Sequence, residues 1–199
     1  TPSNSSAASD VYKRQLQFFA KHGVKGVFEE GNYSPGGGGE FAELRAYILA
    51  KLLWNPDQDV DKLIDEFLEG YYGQAAPLIR EYINMLHEKV EKENIHIHIF
   101  NPPTAKYLTK ELVLKADELF RKAEELAENE EVRLRVKIAH LPIQYVMIER
   151  GFVEGEELER LVKEFFETIE KAGITHISEG KTIDRYREEL EKRLAKRCS

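Results

Sequence analysis

Residues 24–73 constrain this chain more than any other stretch. Residues 24–30 read Val-Lys-Gly-Val-Phe-Glu-Glu, a short β-type run. A helical segment precedes the run, with Leu16, Phe19 and Ala20 on one side and Gly23 at its end, where a positive φ costs glycine little. After it comes a loop, residues 31–39, that holds five of the 13 glycines together with Pro35. Such a loop is expected to be exposed and mobile. A helix over residues 40–54 follows, with Phe41, Leu44, Ile48 and Leu52 on one face and Ala42, Ala46, Leu49 and Leu53 on a second. A helix apolar on most sides is expected between layers of structure. Asn55-Pro56 stops it, because proline disfavours the α conformation in the residue before it. Helix, tight turn, strand, loop and helix in that order is the rhythm of a parallel α/β unit.

The rest of the chain is predominantly helical by period. Asp59 is a good N-cap for a helix with the stripe Val60, Leu63, Ile64, Phe67 and Leu68. Pro77 suits the first turn of the next, which carries Ile79, Tyr82, Ile83, Leu86 and Val90. Residues 95–100 alternate as Ile-His-Ile-His-Ile-Phe, which predicts a short strand or an extended connector. Asn101-Pro102-Pro103 then breaks the pattern and marks the expected domain boundary. Beyond it, Thr109 caps a helix bearing Leu112, Ala116, Leu119, Phe120, Ala123 and Leu126. A further helix over 131–150 contains Pro142, where a kink is expected. Another over 156–172 has a clean apolar stripe, and Gly173 closes it. Residues 174–177 read as a short extended piece, and Thr182 or Asp184 starts the last helix. The expected fold class is mainly α with one or two short strands. Its organisation is a leader at 1–15, a segment at 16–93 and a helical domain at 94–199.

Charge and cysteine content narrow the function. The net charge is -7, and basic residues stand beside acidic ones, so no basic face for nucleic acid is expected. No apolar run is long enough to span a bilayer. The single cysteine, Cys198, can form neither an internal disulfide nor a cysteine metal cluster. His96 and His98 share one side of an extended segment, but no third ligand is evident, so no metal and no cofactor are expected. The glycine run at 36–39 lacks the Lys-Ser/Thr of a P-loop and the spacing of a dinucleotide site. No serine–histidine–aspartate arrangement emerges from spacing, and no catalytic residue is assigned within the chain.

The candidate chemistry lies at the end of the β-type run. Strand alternation places Phe28 and Glu30 on one face and Glu29 on the other. A carboxylate at the C-terminal end of a barrel strand would point into an active-site mouth, where it binds hydroxyls or moves a proton. Two exposed glutamates at a strand end are the plain alternative. Asn32 and Tyr33 follow at once, an amide and a phenol suited to sugar recognition. Trp54, Tyr71 and Tyr72 read as packing residues rather than a substrate platform.

Several words in this stretch carry a family resemblance. They are residues 23–31, Gly-Val-Lys-Gly-Val-Phe-Glu-Glu-Gly; residues 52–56, Leu-Leu-Trp-Asn-Pro; Glu66-Phe67-Leu68; and residues 70–76, Gly-Tyr-Tyr-Gly-Gln-Ala-Ala. Together they resemble the bacterial glycoside-hydrolase-like proteins grouped as domain of unknown function 4838 (DUF4838). Their order is similar to the end of the barrel in family 67 α-glucuronidases. The Phe28-Glu29-Glu30 word resembles, more distantly, the last barrel strand of family 20 hexosaminidases. By that resemblance Glu30 would bind sugar hydroxyls and Phe28 would line the pocket, with phenylalanine standing where that family has tryptophan.

The resemblance implies that residues 16–93 are the last strand and helices of a (β/α)8 TIM barrel, followed by a helical bundle. It implies a carbohydrate substrate with uronic or hexosamine units for a longer parent that is secreted or periplasmic. The general acid in these families sits on an earlier strand, so the chain alone is expected to be inactive. A lone barrel strand would have free edges through which copies could associate. Residues 9–15 resemble a translated sequencing-adaptor remnant of environmental assemblies, and the leader is expected to be disordered or non-native. The competing expectation is a noncatalytic helical interaction module, which predicts an exposed apolar stripe on one of the later helices.

Overall fold

A computed structural model describes residues 5–29, 37, 39–96 and 101–197. Among the described residues the protein is mainly α-helical with one small sheet, the fold class the sequence predicts. The helices are α1 (Ser5–Lys21), α2 (Ala42–Trp54), α3 (Val60–Tyr72), α4 (Ala76–Lys92), α5 (Lys110–Glu125), α6 (Glu130–Arg150), α7 (Gly155–Ala172) and α8 (Ile183–Arg197). A 3-10 turn, Gly73–Ala75, joins α3 to α4. The sheet is a hairpin of β1 (His176–Ser178) and β2 (Lys181–Thr182), paired antiparallel between α7 and α8.

Local chemistry sets the helix starts. The Asp59 carboxylate accepts a hydrogen bond from the Lys62 amide at 3.2 Å, Thr109 Oγ1 from Leu112 at 3.3 Å, and Asn129 Oδ1 from Val132 at 2.9 Å. Each satisfies a backbone donor that the first helical turn leaves without a partner. Thr182 does the same for α8, accepting from the Arg185 amide at 3.3 Å. Asn129→Ala should therefore lower stability by about 1 kcal/mol, read as a lower urea midpoint at unchanged slope. Gly173 ends α7 at φ 67, a conformation that side-chain-bearing residues disfavour. Helix α6 continues through Pro142 without interruption.

Neighbouring helices pack in sequence. α1 lies on α2 and α3, α3 on α4, α4 on α5, α5 on α6, and α6 on α7, while α3 also reaches α6. One hydrophobic cluster runs through all of them, from Leu16 on α1 to Leu190 on α8. Tyr82 on α4 and Phe120 on α5 meet inside it with ring centroids 4.8 Å apart. The expected boundary near residue 94 thus falls between helices that share core side chains. The expected leader also meets structure, since α1 begins at Ser5 and continues through residue 15.

One local expectation is corrected. The described part of the β-type run, residues 24–29, belongs to no helix or strand. Val24 is 46% exposed and Phe28 90%. A strand is held by hydrogen bonds to a neighbour, and among the described residues none pairs with this segment. Of the alternating stretch 95–100, only Ile95 and His96 are described, and neither is in a strand. The extended piece expected at 174–177 is realised in part as β1.

Candidate functional site

Among the described residues, a cavity of about 340 Å³ lies where the end of the glycine loop meets the second half of the chain. Gly37, Gly39 and Glu40 form one side. Leu141, Pro142 and Tyr145 of α6 and Phe165 and Ile169 of α7 also line it. Ile174, the β1 residues His176, Ile177 and Ser178, and Ile183 at the start of α8 close it. The spacings follow from helix geometry. Leu141 with Tyr145, and Phe165 with Ile169, are i, i+4 pairs that present adjacent side chains on one face.

Glu40 is the carboxyl group of this site. Its Oε1 accepts a hydrogen bond from the Tyr82 hydroxyl at 2.8 Å, and its backbone carbonyl accepts one from the Arg45 guanidinium. Burial pushes the Glu40 carboxyl above the usual carboxylate range, against the Tyr82 hydrogen bond and the Arg45 charge. The neighbouring backbone is under strain. Phe41 has φ 48, left-handed for a bulky residue, and is 7% exposed with its ring 6.0 Å from that of Tyr82. Burial of the Phe41 ring holds this conformation, which turns the chain from the glycine segment into α2.

The opposite wall is braced from behind. The Tyr186 hydroxyl donates to Glu149 Oε1 at 2.9 Å, and both terminal nitrogens of Arg193 bond the same carboxylate. Burial alone would raise the Glu149 carboxyl, but the hydrogen bonds from Arg193 and Tyr186 bring it below the usual range. Tyr145 packs on Tyr186 at 5.6 Å, so α8 fixes a ring of the cavity wall. At the rim, His176 Nδ1 is 2.9 Å from Thr175 Oγ1.

A second buried polar group lies deeper, between α5 and α6. His140 is 1% exposed. Its Nε2 is 3.0 Å from Asp117 Oδ1 and its Nδ1 3.2 Å from Glu124 Oε1. Donating to both carboxylates at once takes both ring nitrogens as N–H donors, the imidazolium form. Burial opposes the charge, and the hydrogen bonds and charges of Asp117 and Glu124 outweigh it, raising the histidine above its ordinary 6.5. For Asp117, burial is outweighed by hydrogen bonds from His140 and Arg121, and the carboxyl lies below its ordinary 3.8. Phe120 stacks on the imidazole at 4.9 Å.

The residues expected to bind substrate are placed unevenly. Phe28 projects into solvent and Glu29 is half-buried. Glu30, Asn32 and Tyr33 lie outside the described residues, as does His98 of the histidine pair. Neither Phe28 nor Glu29 is part of the cavity lining, but Gly37, Gly39 and Glu40, at the far end of the loop that follows them, are. Glu40 was missed because it reads as the first residue of a helix. The signal that could have found it is an acidic residue between a glycine run and an apolar helix. Among the described residues, no group of three histidine, cysteine or acidic side chains is arranged to hold a metal, and no helix is long and apolar enough to cross a membrane.

Residues 5–84 match the family model described as Domain of unknown function (DUF4838). The match takes in α1, α2, α3 and the first half of α4, and so includes Glu40 and the glycine loop. The α6, α7 and hairpin walls of the cavity lie outside it. No curated protein and no solved structure matches the chain.

Proposed function

We propose that this chain is the C-terminal part of a carbohydrate-active, glycoside-hydrolase-like protein, and that by itself it binds rather than cleaves. The observation that carries this reading is the placement of carboxyl groups about one glycine loop. Glu29 stands before the loop, and Glu40, hydrogen-bonded by Tyr82 and with its carboxyl raised by burial above the usual range, closes it beside an open cavity. The match of residues 5–84 supports the DUF4838 part of the reading. In this account residues 16–93 supply the last strand and helices of a (β/α)8 barrel. Phe28, which is in no strand here, would pair as one only against the neighbouring strands of the rest of the barrel. Glu30 and Glu29 take sugar hydroxyls, Phe28 lines the pocket, and Asn32 and Tyr33 complete the contacts.

Glycoside hydrolysis needs two carboxyl groups, about 5–9.5 Å apart, flanking the scissile bond. Among the described residues the cavity lining offers one, Glu40. By the family resemblance, the general acid of the parent sits on an earlier strand. Titrating the chain with neutral, hexosamine and uronic oligosaccharides tests the reading. Glu30→Gln should weaken binding about tenfold, the loss of one hydrogen bond to a charged group. Unchanged affinity in that variant would remove Glu30 from the site.

A second reading, a noncatalytic interaction module, draws on exposed apolar side chains, which do not fall where its expected stripe on a later helix would be. Large exposed apolar side chains concentrate at Phe18, Val24, Val27 and Phe28 and at Leu53 and Trp54, the last 90% exposed. They lie in the first quarter or so of the chain rather than on the later helices, where Leu114 and Leu126 are the exposed pair. Trp54 is the sole tryptophan, so its fluorescence reports on this region alone. The interaction reading predicts loss of quencher access to Trp54 as protein concentration rises. The glycan reading predicts that added oligosaccharide changes that access.

A further inference from the structure

We infer that the cavity between Glu40 and the α6–α7–hairpin wall is a binding site for a small uncharged molecule that has a flat apolar ring and a hydroxyl group at its edge. This goes beyond the proposed function: it shares Glu40 with that reading but otherwise rests on residues of α6, α7 and the hairpin outside the substrate-binding set, and it does not require the ligand to be a sugar.

Size is the first argument. An apolar cavity of about 150 Å³ is enough to take benzene, and this one measures about 340 Å³. That also places it within the range of about 300–1,000 Å³ occupied by small-molecule sites. The second argument is the chemistry of the wall. Leu141, Phe165, Ile169, Ile174 and Ile183 are buried side chains that still border open space. Apolar surface left beside a void forgoes contacts that a ring would supply.

The third argument is charge. No lysine or arginine is among the described residues of the lining. An anionic ligand would lose its water without gaining a cation, a cost that a neutral ligand avoids. The polar groups present are the Glu40 carboxyl, the Tyr145 hydroxyl, the His176 imidazole and the Ser178 hydroxyl. The Tyr145 and Ser178 hydroxyls can both donate to and accept from a ligand hydroxyl, and the carboxyl and imidazole offer further hydrogen-bonding atoms. The fourth argument is rigidity. The Arg193–Glu149–Tyr186 brace holds Tyr145 from behind, so ordering the wall on binding costs little.

The test uses the whole chain, isotope-labelled, with benzyl alcohol as the neutral probe and benzoate as its anionic analogue. Benzyl alcohol should shift the amide resonances of Gly39, Glu40, Ile169 and His176 in a saturable manner. Benzoate should bind at least about tenfold more weakly, because its charge would be buried without a partner. Ile169→Trp, which fills the cavity, should abolish the shifts. Ile177→Trp, on the half-buried hairpin, repeats that test with less burden on the core. Absence of saturable shifts in the unmodified chain would overturn the inference. So would equal affinity for benzoate, or shifts that survive in a folded filled variant. Because no sugar is involved, failure here would leave the carbohydrate reading standing, and failure of the oligosaccharide titration would leave this site standing.

Discussion

His140→Ala should lower the free energy of unfolding by about 3–5 kcal/mol, the usual consequence of removing one partner from a buried ion pair. The substitution leaves Asp117 and Glu124 facing a void without the imidazolium that both bond. It also removes the ring on which Phe120 stacks. The remaining charges do not repair this. Arg121 already bonds the other oxygen of Asp117 at 2.8 Å, and Lys137 is shared between Glu164 at 3.3 Å and Glu124 at 3.7 Å.

The same group gives stability a pH dependence of defined sign. His140 has a raised folded pKa, so its contribution is complete below the unfolded value of 6.5 and is lost as pH rises through the folded value. Asp117 has a depressed one, so its contribution is complete above 3.8 and is lost as pH falls through the folded value. Between these limits both are in place. Urea unfolding as a function of pH should show a decline on the alkaline side of 6.5 that is absent in His140→Ala. A decline of equal slope in the variant would assign it to other groups.

Phe120→Ala should cost about 3–5 kcal/mol, the range for emptying an aromatic position in a closed core. Phe120 is fully buried and touches Tyr82 of α4 on one side and His140 of α6 on the other. Because it joins the segments before and after residue 94, the loss should appear in one cooperative transition rather than in one half alone. Two transitions, only one of them shifted by the substitution, would show that the halves unfold independently. Circular dichroism and Trp54 fluorescence followed in the same melt distinguish the outcomes, since Trp54 reports on α2 and dichroism on every helix.

The helices were legible in the sequence because their signals are local. Asp59 and Thr109 cap where the hydrophobic period predicts, and Gly173 ends α7 where the stripe stops. The short piece at 174–177 was legible by its β-branched residues between a glycine and a turn. The run at 24–30 carries the same kind of signal, yet its described residues are unpaired. Strand propensity describes a fit to neighbours, and the neighbours are not encoded within the run. The candidate site was less legible still. Glu40 depends on Tyr82, a contact 42 residues away, and the cavity wall is assembled from α6, α7 and the hairpin. His140 stands alone in an apolar stretch of α6, and its two acids come from α5. Contacts of that range leave no period or spacing to read.

The account rests on carbohydrate recognition around the loop that Glu29 opens and Glu40 closes. The most direct measurement is turnover of neutral, hexosamine and uronic oligosaccharides by the protein encoded by the complete gene, alongside its Glu30→Gln variant. The account predicts cleavage of at least one class and a fall of about tenfold or more in kcat/KM for the variant, equivalent to about 1.4 kcal/mol of transition-state binding. Cleavage unaffected by Glu30→Gln, or no cleavage of any class, would contradict it.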